Sequence, residues 1–408
     1  MTDKNTFTRF ITLKDKKYFQ IENGIWTGSE PPLIKTPILR NTNFNDNGYF
    51  DYSKVAEIEI EEKQIPRKSL KKYDILIERS GGGPNTPVGR ASLYDKEDNL
   101  YSFSNFTSRI RIISEEVDPG FIHLQLLHLH WNKHTEKIQT QTTNIRNLQF
   151  DKYTKIKLLL PNSKTDQIRI SSAIKSKLVK VEQMRQAALQ QKEAVEALQG
   201  ALLREVFPYK EGDELPKGWK WEKLEKIFEE VKNQVQPYED EFKTLPFVGL
   251  ENIVSHTREY TDEEYNPPAS TCFKFDETNI LYGKLRPYLN KVFLPTSRGK
   301  SSMELIPLKT KNNYSREFLA AVLQSEAVIG DTVKFSTGGR MPRADLKKLK
   351  KLEIAIPSDV SVCNQLGLSV SNKIKEIIEL NKKANKQLEA IEALPAAILR
   401  EVFEFKTN

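Results

Sequence analysis

Val195-Glu-Ala-Leu-Gln-Gly-Ala-Leu-Leu-Arg-Glu-Val-Phe207 returns as Ile391-Glu-Ala-Leu-Pro-Ala-Ala-Ile-Leu-Arg-Glu-Val-Phe403, with nine of the thirteen positions identical. The match extends backwards without a gap, so residues 145–207 align with 341–403 at a constant offset of 196. Pro161 falls on Pro357, and Phe150, Tyr153, Ile156, Leu158 and Leu160 fall on Leu346, Leu349, Leu352, Ile354 and Ile356. A correspondence of this length is a duplication, and it sets the plan of the whole chain.

Each copy reads as an apolar strand-like run, a proline stop and one long helix. Every seventh residue is apolar: Ile174, Val181, Ala188, Val195 and Leu202 in the first copy, Val370, Ile377, Ala384, Ile391 and Ile398 in the second. Leu178, Met184 and Leu198, and in the second copy Ile374, Leu380, Leu388 and Leu394, widen the stripe into a heptad seam. A seam this long does not stay exposed to water, and its own duplicate is the economical partner. Pseudo-two-fold pairing would run the two helices antiparallel, as a rod roughly 50 Å long between Ser163 and Leu198. Gln199-Gly200 and Pro395-Ala396 are expected to end the seam, because glycine and proline are poor helix-interior residues. A short terminal helix ending Leu-Arg-Glu-Val-Phe would then fold back on the rod or dock a partner.

The expected fold class is α+β: two similar mixed α/β domains, 1–161 and 208–357, separated by an antiparallel coiled coil of two long helices, 162–207 and 358–408. At 408 residues, 38% of them apolar, the chain is long enough for two cores. A net charge of +8 favours a polyanion such as nucleic acid as partner. Cys272 and Cys363 are the only cysteines, which leaves neither a disulfide framework nor a cysteine metal site and fits a reducing cytosol. The N-terminus lacks a signal pattern and no run approaches ~20 apolar residues, so a soluble, cytoplasmic protein without a membrane partner is expected.

The two halves repeat one plan ahead of their helices. Pro37 to Asn43 and Pro246 to Asn252 share a spacing, and Asp74-Ile-Leu-Ile-Glu-Arg79 occupies the place of Asn279-Ile-Leu-Tyr-Gly-Lys284. In both, a strand delivers a basic residue to a loop: Arg79 and Arg90 in the first half, Lys284, Arg286, Lys291, Arg298 and Lys300 in the second. Tyr101 to Ile113 alternates as a strand, and Phe121 to His134 has helical spacing. Different loops on one scaffold point to two different targets.

Enzyme motifs are present only in fragments. Asn266-Pro-Pro-Ala269 has alanine where amino-methyltransferases carry an aromatic, no glycine-rich cofactor loop precedes it, and a turn is the plainer reading. Gly81-Gly82-Gly83 lacks the Lys-Ser/Thr of a P-loop and reads as a turn that lets backbone approach a phosphate or base edge. His123, His128, His130 and His134 cluster, with His130 and His134 on one helical face, yet the glutamate of a zinc-protease motif is missing. Residues 340–351 carry six positive charges and one negative; with Ser336-Thr-Gly-Gly-Arg340 they read either as a solvated helix face or as a phosphate clamp. Base reading would fall to forked or amide side chains such as Arg79, Asn85, Asn105 and Arg286.

Taken in order, these features resemble the specificity subunit of Type I restriction-modification enzymes. Leu215-Pro-Lys-Gly-Trp-Lys-Trp221, Gly249-Leu-Glu-Asn-Ile253, Ile280-Leu-Tyr-Gly-Lys-Leu-Arg-Pro287, Thr36-Pro-Ile-Leu-Arg-Asn-Thr-Asn-Phe44 and Asp74-Ile-Leu-Ile-Glu-Arg-Ser-Gly81 are similar to that family's recurring phrases. The first half departs from it in lacking a Leu-Pro-x-Gly-Trp opening. The resemblance implies two target recognition domains, each reading one half of an interrupted sequence in double-stranded DNA. It implies a subunit that is not catalytic and recruits two methyltransferase subunits and then restriction/translocase subunits. S-adenosylmethionine, ATP and Mg would sit on those partners. The DNA-contact candidates are Arg40, Arg79, Ser80, Gly82, Asn85, Arg90, Asn105 and Arg109 in the first half and Lys284, Arg286, Tyr288, Lys291, Arg340 and Arg343 in the second; Arg204, Phe207, Arg400 and Phe403 are the partner-binding candidates. A coiled-coil assembly scaffold without sequence-specific DNA binding, and a self-contained methyltransferase or nuclease, are the competing readings.

Overall fold

The computed structural model describes residues 7–26, 30–82, 86–142, 145–262 and 269–404. The chain divides into two compact units, the first made of residues 1–186 and 389–408, the second of 187–388.

In the first unit a four-stranded antiparallel sheet runs in the order Phe19–Asn23, Thr107–Ile112, Ile75–Glu78, Ala91–Leu93. All four residues of Ile75–Glu78 are buried, because side chains that alternate across a strand are covered here on both faces. Ile75 and Ile77 join Phe121 and Leu124 of helix Pro119–Trp131 and Ile170 and Ile174 of the long helix, whereas Leu76 joins Leu39, Phe44, Phe103 and Tyr94. Asp118 caps helix Pro119–Trp131 by accepting from Phe121 N at 2.7 Å. The helix ends at Trp131, so His134 is not on it and does not share a helical face with His130. Strand Phe7–Ile11 pairs antiparallel with Leu158–Pro161.

The second unit repeats this arrangement. Its four-stranded sheet runs Phe228–Glu230, Leu305–Thr310, Ile280–Gly283, Val292–Phe293, also antiparallel throughout. Strand Trp219–Lys223 pairs with Glu353–Pro357, the duplicate of Leu158–Pro161. The shared sequence spacings have a physical cause. Asn43 Oδ1 accepts from Arg40 N at 3.0 Å and Asn252 Oδ1 from Gly249 N at 2.9 Å, each asparagine being buried and pinning the loop after a strand. Asp74 likewise takes Lys71 N at 2.7 Å, and Asn279 takes Asp276 N at 2.9 Å, so each tightens the turn that opens its central strand.

The long helices span Lys164–Val206 and Val360–Phe403. Ile174, Val181, Ala188 and Leu202, and Val370, Ile377, Ala384 and Ile391, are buried as the heptad requires. Met184, Leu198 and Leu380 are exposed, so the seam is narrower than the sequence pattern predicts. Neither helix breaks at Gly200 or Pro395. A glycine in a long helix costs only about 1 kcal/mol relative to alanine, and Pro395 removes a single hydrogen bond from a helix otherwise held by packing. In the first unit Lys177 lies 3.8 Å from Glu401 and Arg185 lies 3.7 Å from Glu392, an antiparallel register. In the second, Leu202, Leu203 and Phe207 share a core with Val370, Ile374 and Ile377.

Candidate nucleic-acid interface

In the first unit the central strand hands the chain to Arg79, whose N–H donates to Phe106 O at 2.8 Å; Ser80 N donates to the same carbonyl at 3.3 Å. These bonds set Arg79 and Ser80 against the turn that carries Asn105. Arg79 Nη1 donates to Asn23 Oδ1 at 2.7 Å while its guanidinium lies 4.7 Å over the Phe150 ring; burial lowers its pKa. Asn41, next to Arg40, donates from Nδ2 to Ser80 O at 3.4 Å. Gly81 has φ +114, and a Cβ there would meet Asn41 Nδ2 at 2.4 Å, so only glycine lets this edge close up. A Cβ on Gly82 would meet Thr86 O at 2.2 Å.

Strand Ser80–Gly82 is the edge of a three-stranded sheet whose other members are Ile145–Leu148 and Gln139–Thr142. The central strand sets Asn147 opposite Ser80, whose Oγ donates to Asn147 Oδ1 at 2.6 Å, while Gln141 lies on the far edge strand. Sequence reasoning missed this hairpin. The signal was available in Gln139-Thr-Gln-Thr-Thr-Asn-Ile-Arg-Asn-Leu148, an alternation around a Thr-Asn turn. Asn85, Gly83 and Asn266 lie outside the described residues.

Two arginines of the first half face inward. Arg109 is 1% exposed; its Nη1 donates to Arg67 O at 3.0 Å and Ser69 O at 3.2 Å, and burial lowers its pKa. Its place on a strand covered on both faces removes it from any surface, so the DNA-contact expectation for it is corrected. Arg90 donates from Nε and Nη2 to the Glu78 carboxylate at 2.8 and 3.0 Å and from Nη2 to Asn41 O at 2.9 Å. Burial opposes its charge, but the bonds to Glu78 outweigh that and raise its pKa. Its counterpart Lys291 does the same work: Lys291 Nζ donates at 2.7 Å to Leu250 O, the equivalent of Asn41 O. Arg90 and Lys291 therefore brace the same loop carbonyl position in the two units.

In the second unit the structure brings together Lys284, Arg286, Tyr288, Arg340 and Arg343. Arg286 N donates to Pro342 O at 2.7 Å and Ala344 N to Lys284 O at 2.8 Å, so the two loops are laced by backbone. Thr337 and Arg343 exchange two hydrogen bonds, of 3.0 and 2.8 Å, and close a turn with exposed Arg340 near its tip. Glu304 sits between two of the cations: its carboxylate lies 2.8 Å from Arg343 Nη2 and 3.7 Å from Lys284 Nζ. The hydrogen bond to Glu304 raises the Arg343 pKa. Tyr288 is half-exposed beside them. Helix Leu346–Lys351 follows, with Asp345 capping it from Oδ1 and Lys350 paired to Glu230; Lys347 and Lys348 are exposed.

The Leu-Arg-Glu-Val-Phe ends are part of the cores. Phe207 packs 6.2 Å from Phe318 in the second unit, and Phe403 packs 5.5 Å from Phe121 and 6.0 Å from His128 in the first. Both phenylalanines are buried, so their apolar surface is already used, contrary to the partner-binding expectation. Arg204 and Arg400 remain exposed, Arg204 3.7 Å from Glu326 and Arg400 donating to Asn132 at 2.8 Å.

Among the described residues no group of three or more His, Cys, Asp or Glu is placed to hold a metal ion, and no helix is long and apolar enough to cross a membrane. His123 and His128 are buried: burial pushes His123 down to about 4, and burial and then the neighbouring His134 push His128 down to about 4.

No protein-family model matches the chain, and no curated protein matches it. Solved structures do. One, from work on complex assembly and conformational transition of the type I R-M system, aligns with a TM-score of 0.70 at 16% identity over 94% of this chain and 97% of the other. The HsdS subunit from Thermoanaerobacter tengcongensis aligns with a TM-score of 0.57 at 16% identity, over 94% and 96%. The chain therefore has the fold found in specificity subunits of Type I restriction-modification systems, along nearly its whole length.

Proposed function

We propose that this chain is the specificity subunit of a Type I restriction-modification complex: a non-catalytic, cytoplasmic protein that reads a bipartite DNA target and recruits methyltransferase and restriction subunits. One observation carries the reading. Two units of the same fold each deliver a basic residue from the same strand end, Arg79 after Ile75–Glu78 and Lys284 after Ile280–Gly283, into differently built polar loops. Duplicated frames with unlike loops suit two unlike half-sites. Phosphates would be met by exposed cations such as Arg340, Lys347 and Lys348, and base edges by forked and amide side chains. S-adenosylmethionine, ATP and Mg belong on the partner subunits.

The test is co-purification with a methyltransferase partner followed by mapping of methylated sites on long DNA of mixed sequence. A split motif with adenine methylated in each half is expected. A complex that forms but methylates no defined motif would leave an assembly scaffold and reject sequence reading; no complex at all would reject the family role.

A further inference from the structure

One turn is built alike in the two units and furnished differently. It comprises residues 104–107 in the first and 302–305 in the second, where Thr107 N donates to Ser104 O at 2.9 Å and Leu305 N to Ser302 O at 3.0 Å. The third residue of each turn, Phe106 or Glu304, offers its carbonyl to the residue after the central strand, Arg79 N at 2.8 Å or Lys284 N at 2.9 Å. Both turns lie outside the phrases that resemble the family's, and their side chains differ in kind. Glu304 takes up charge, at 2.8 Å from Arg343 Nη2 and 3.7 Å from Lys284 Nζ. Phe106 takes up none. Among the described residues the Arg79 side chain has only neutral partners, Asn23 Oδ1, Ser108 Oγ and the Phe150 ring, so its charge is uncompensated.

Trp26 stands on the other flank of the first unit's turn. Asn105 N donates to Ile25 O at 3.1 Å, Ile25 N to Phe103 O at 2.9 Å and Gly24 N to Thr107 O at 3.2 Å. A Cβ on Gly24 would run into Ser104 O, so only glycine lets the two segments lie this close. Ile25 is buried with Ile38 and Ile60. The next residue, Trp26, is nevertheless 75% exposed, and Phe106 is 45% exposed. A large apolar ring on an anchored backbone thus stands in water, across a short turn from a cation that no carboxylate holds. We infer, resting on the DNA-reading function proposed above, that Trp26 is a wedge that enters the base stack of the half-site met by the first unit. Phe106 widens its apolar surface, and Arg79 draws phosphate to the same edge. The uncompensated cation suits a polyanion, and the exposed rings suit one that also offers flat apolar faces. Along a DNA groove the apolar surfaces are small, such as a thymine methyl, and only the face of a base matches an indole in area. Parting a base step costs its stacking and gains contact with the separated bases. Tryptophan has two side-chain torsions to fix, so ordering it costs little. The second unit carries Met303 and Glu304 where the first has Asn105 and Phe106, so the wedge belongs to one half-site only.

The experiment compares the wild-type chain, Trp26→Phe and Trp26→Ala, each assembled with the methyltransferase partner. Methylation mapping on mixed-sequence DNA supplies the motif, and a duplex carrying it is then titrated while tryptophan emission and affinity are followed. The difference between wild-type and Trp26→Phe emission isolates this indole, and the duplex should quench most of it, because stacked bases quench indole fluorescence. Trp26→Ala should melt with the wild type, keep its methyltransferase partner and bind the duplex about tenfold to a hundredfold more weakly, with Trp26→Phe recovering much of the loss. The quenching is read without Trp26→Ala and decides even if that variant unfolds. Unquenched emission, wild-type affinity in a folded Trp26→Ala, or loss of the methyltransferase from it, which would make the indole a protein contact, overturns the inference while leaving the proposed function standing. A wild-type chain that yields no motif removes both.

Discussion

Glu78 is 2% exposed, and its carboxylate takes two hydrogen bonds from Arg90. Removing one member of a buried ion pair strands the other, at a cost of about 3–5 kcal/mol. Arg90→Met is therefore expected to destabilise the chain by that amount in urea unfolding, and Glu78→Leu added to it should recover much of the loss. A variant that unfolds at wild-type urea concentration would sink the bracing role assigned to Arg90. The interior histidines make a second expectation. His123 and His128 titrate at about 4 when folded, against 6.5 as the ordinary value. The unfolded chain thus binds more protons between pH 6.5 and 4, and stability falls as pH drops through that window, by up to about 1.4 kcal/mol per pH unit for each group. Melting temperature should decline from pH 7 to pH 5, and His123→Gln should flatten the decline; a pH-independent melt would contradict it. Sequence discloses charge but not direction, which is why Arg109 and Arg90 read as surface cations. The strand end before Arg79 was legible in the sequence, whereas the partners of its side chain, Asn23 and Phe150, lie far away along the chain and were not. Arg109 lies within Thr107–Ile112, where alternation alone cannot tell which face is covered when both are.

At the level of elements, the two long helices are where sequence reading did best. Their starts at Lys164 and Val360 and their sevenfold spacing follow from the prolines and the heptad. It erred at Gly200 and Pro395, because local propensity is weaker than a packed seam. The consequence can be measured. Pro395→Ala restores a missing backbone donor and is expected to raise stability by about 1–3 kcal/mol. Gly200→Ala, where a Cβ would meet only Arg204 Nη1 at 3.5 Å, should add about 0.5–1 kcal/mol. Destabilisation by either change, in thermal unfolding, would mean that the helix needs a bend at that point. The polar hairpin Gln139–Leu148 escaped notice because its short strands carry few apolar residues, and apolar periodicity is the main signal.

For the whole chain, the duplication at offset 196 makes the two-unit architecture legible in the sequence. The loop clusters were less legible, since they are assembled from segments far apart in sequence: Asn41 beside Ser80, Pro342 beside Arg286. Two measurements address the proposed DNA reading at this scale. Affinity for a target duplex should fall steeply with salt, the logarithmic slope being about −0.9 for each phosphate neutralised; a flat response would favour a scaffold. Deleting one heptad from each long helix removes about 10 Å of helix, and the preferred gap between half-sites should change. An unchanged gap would mean that helix length does not set the spacing of the half-sites.

The division of the chain also dictates a timetable. Residues 187–388 form the second unit without interruption, whereas the first unit needs residues 389–408, which supply Leu399 and Phe403 to its core. On the ribosome the first unit is therefore begun first and completed last. While the second unit is being made, the apolar groove around Phe121, Ile170 and Ile174 waits unfilled, and a nascent chain with such a surface is open to aggregation or chaperone capture. Slow translation through the second unit would prolong that exposure, so the speed at which residues 187–388 are synthesised becomes a determinant of how much of the first unit folds.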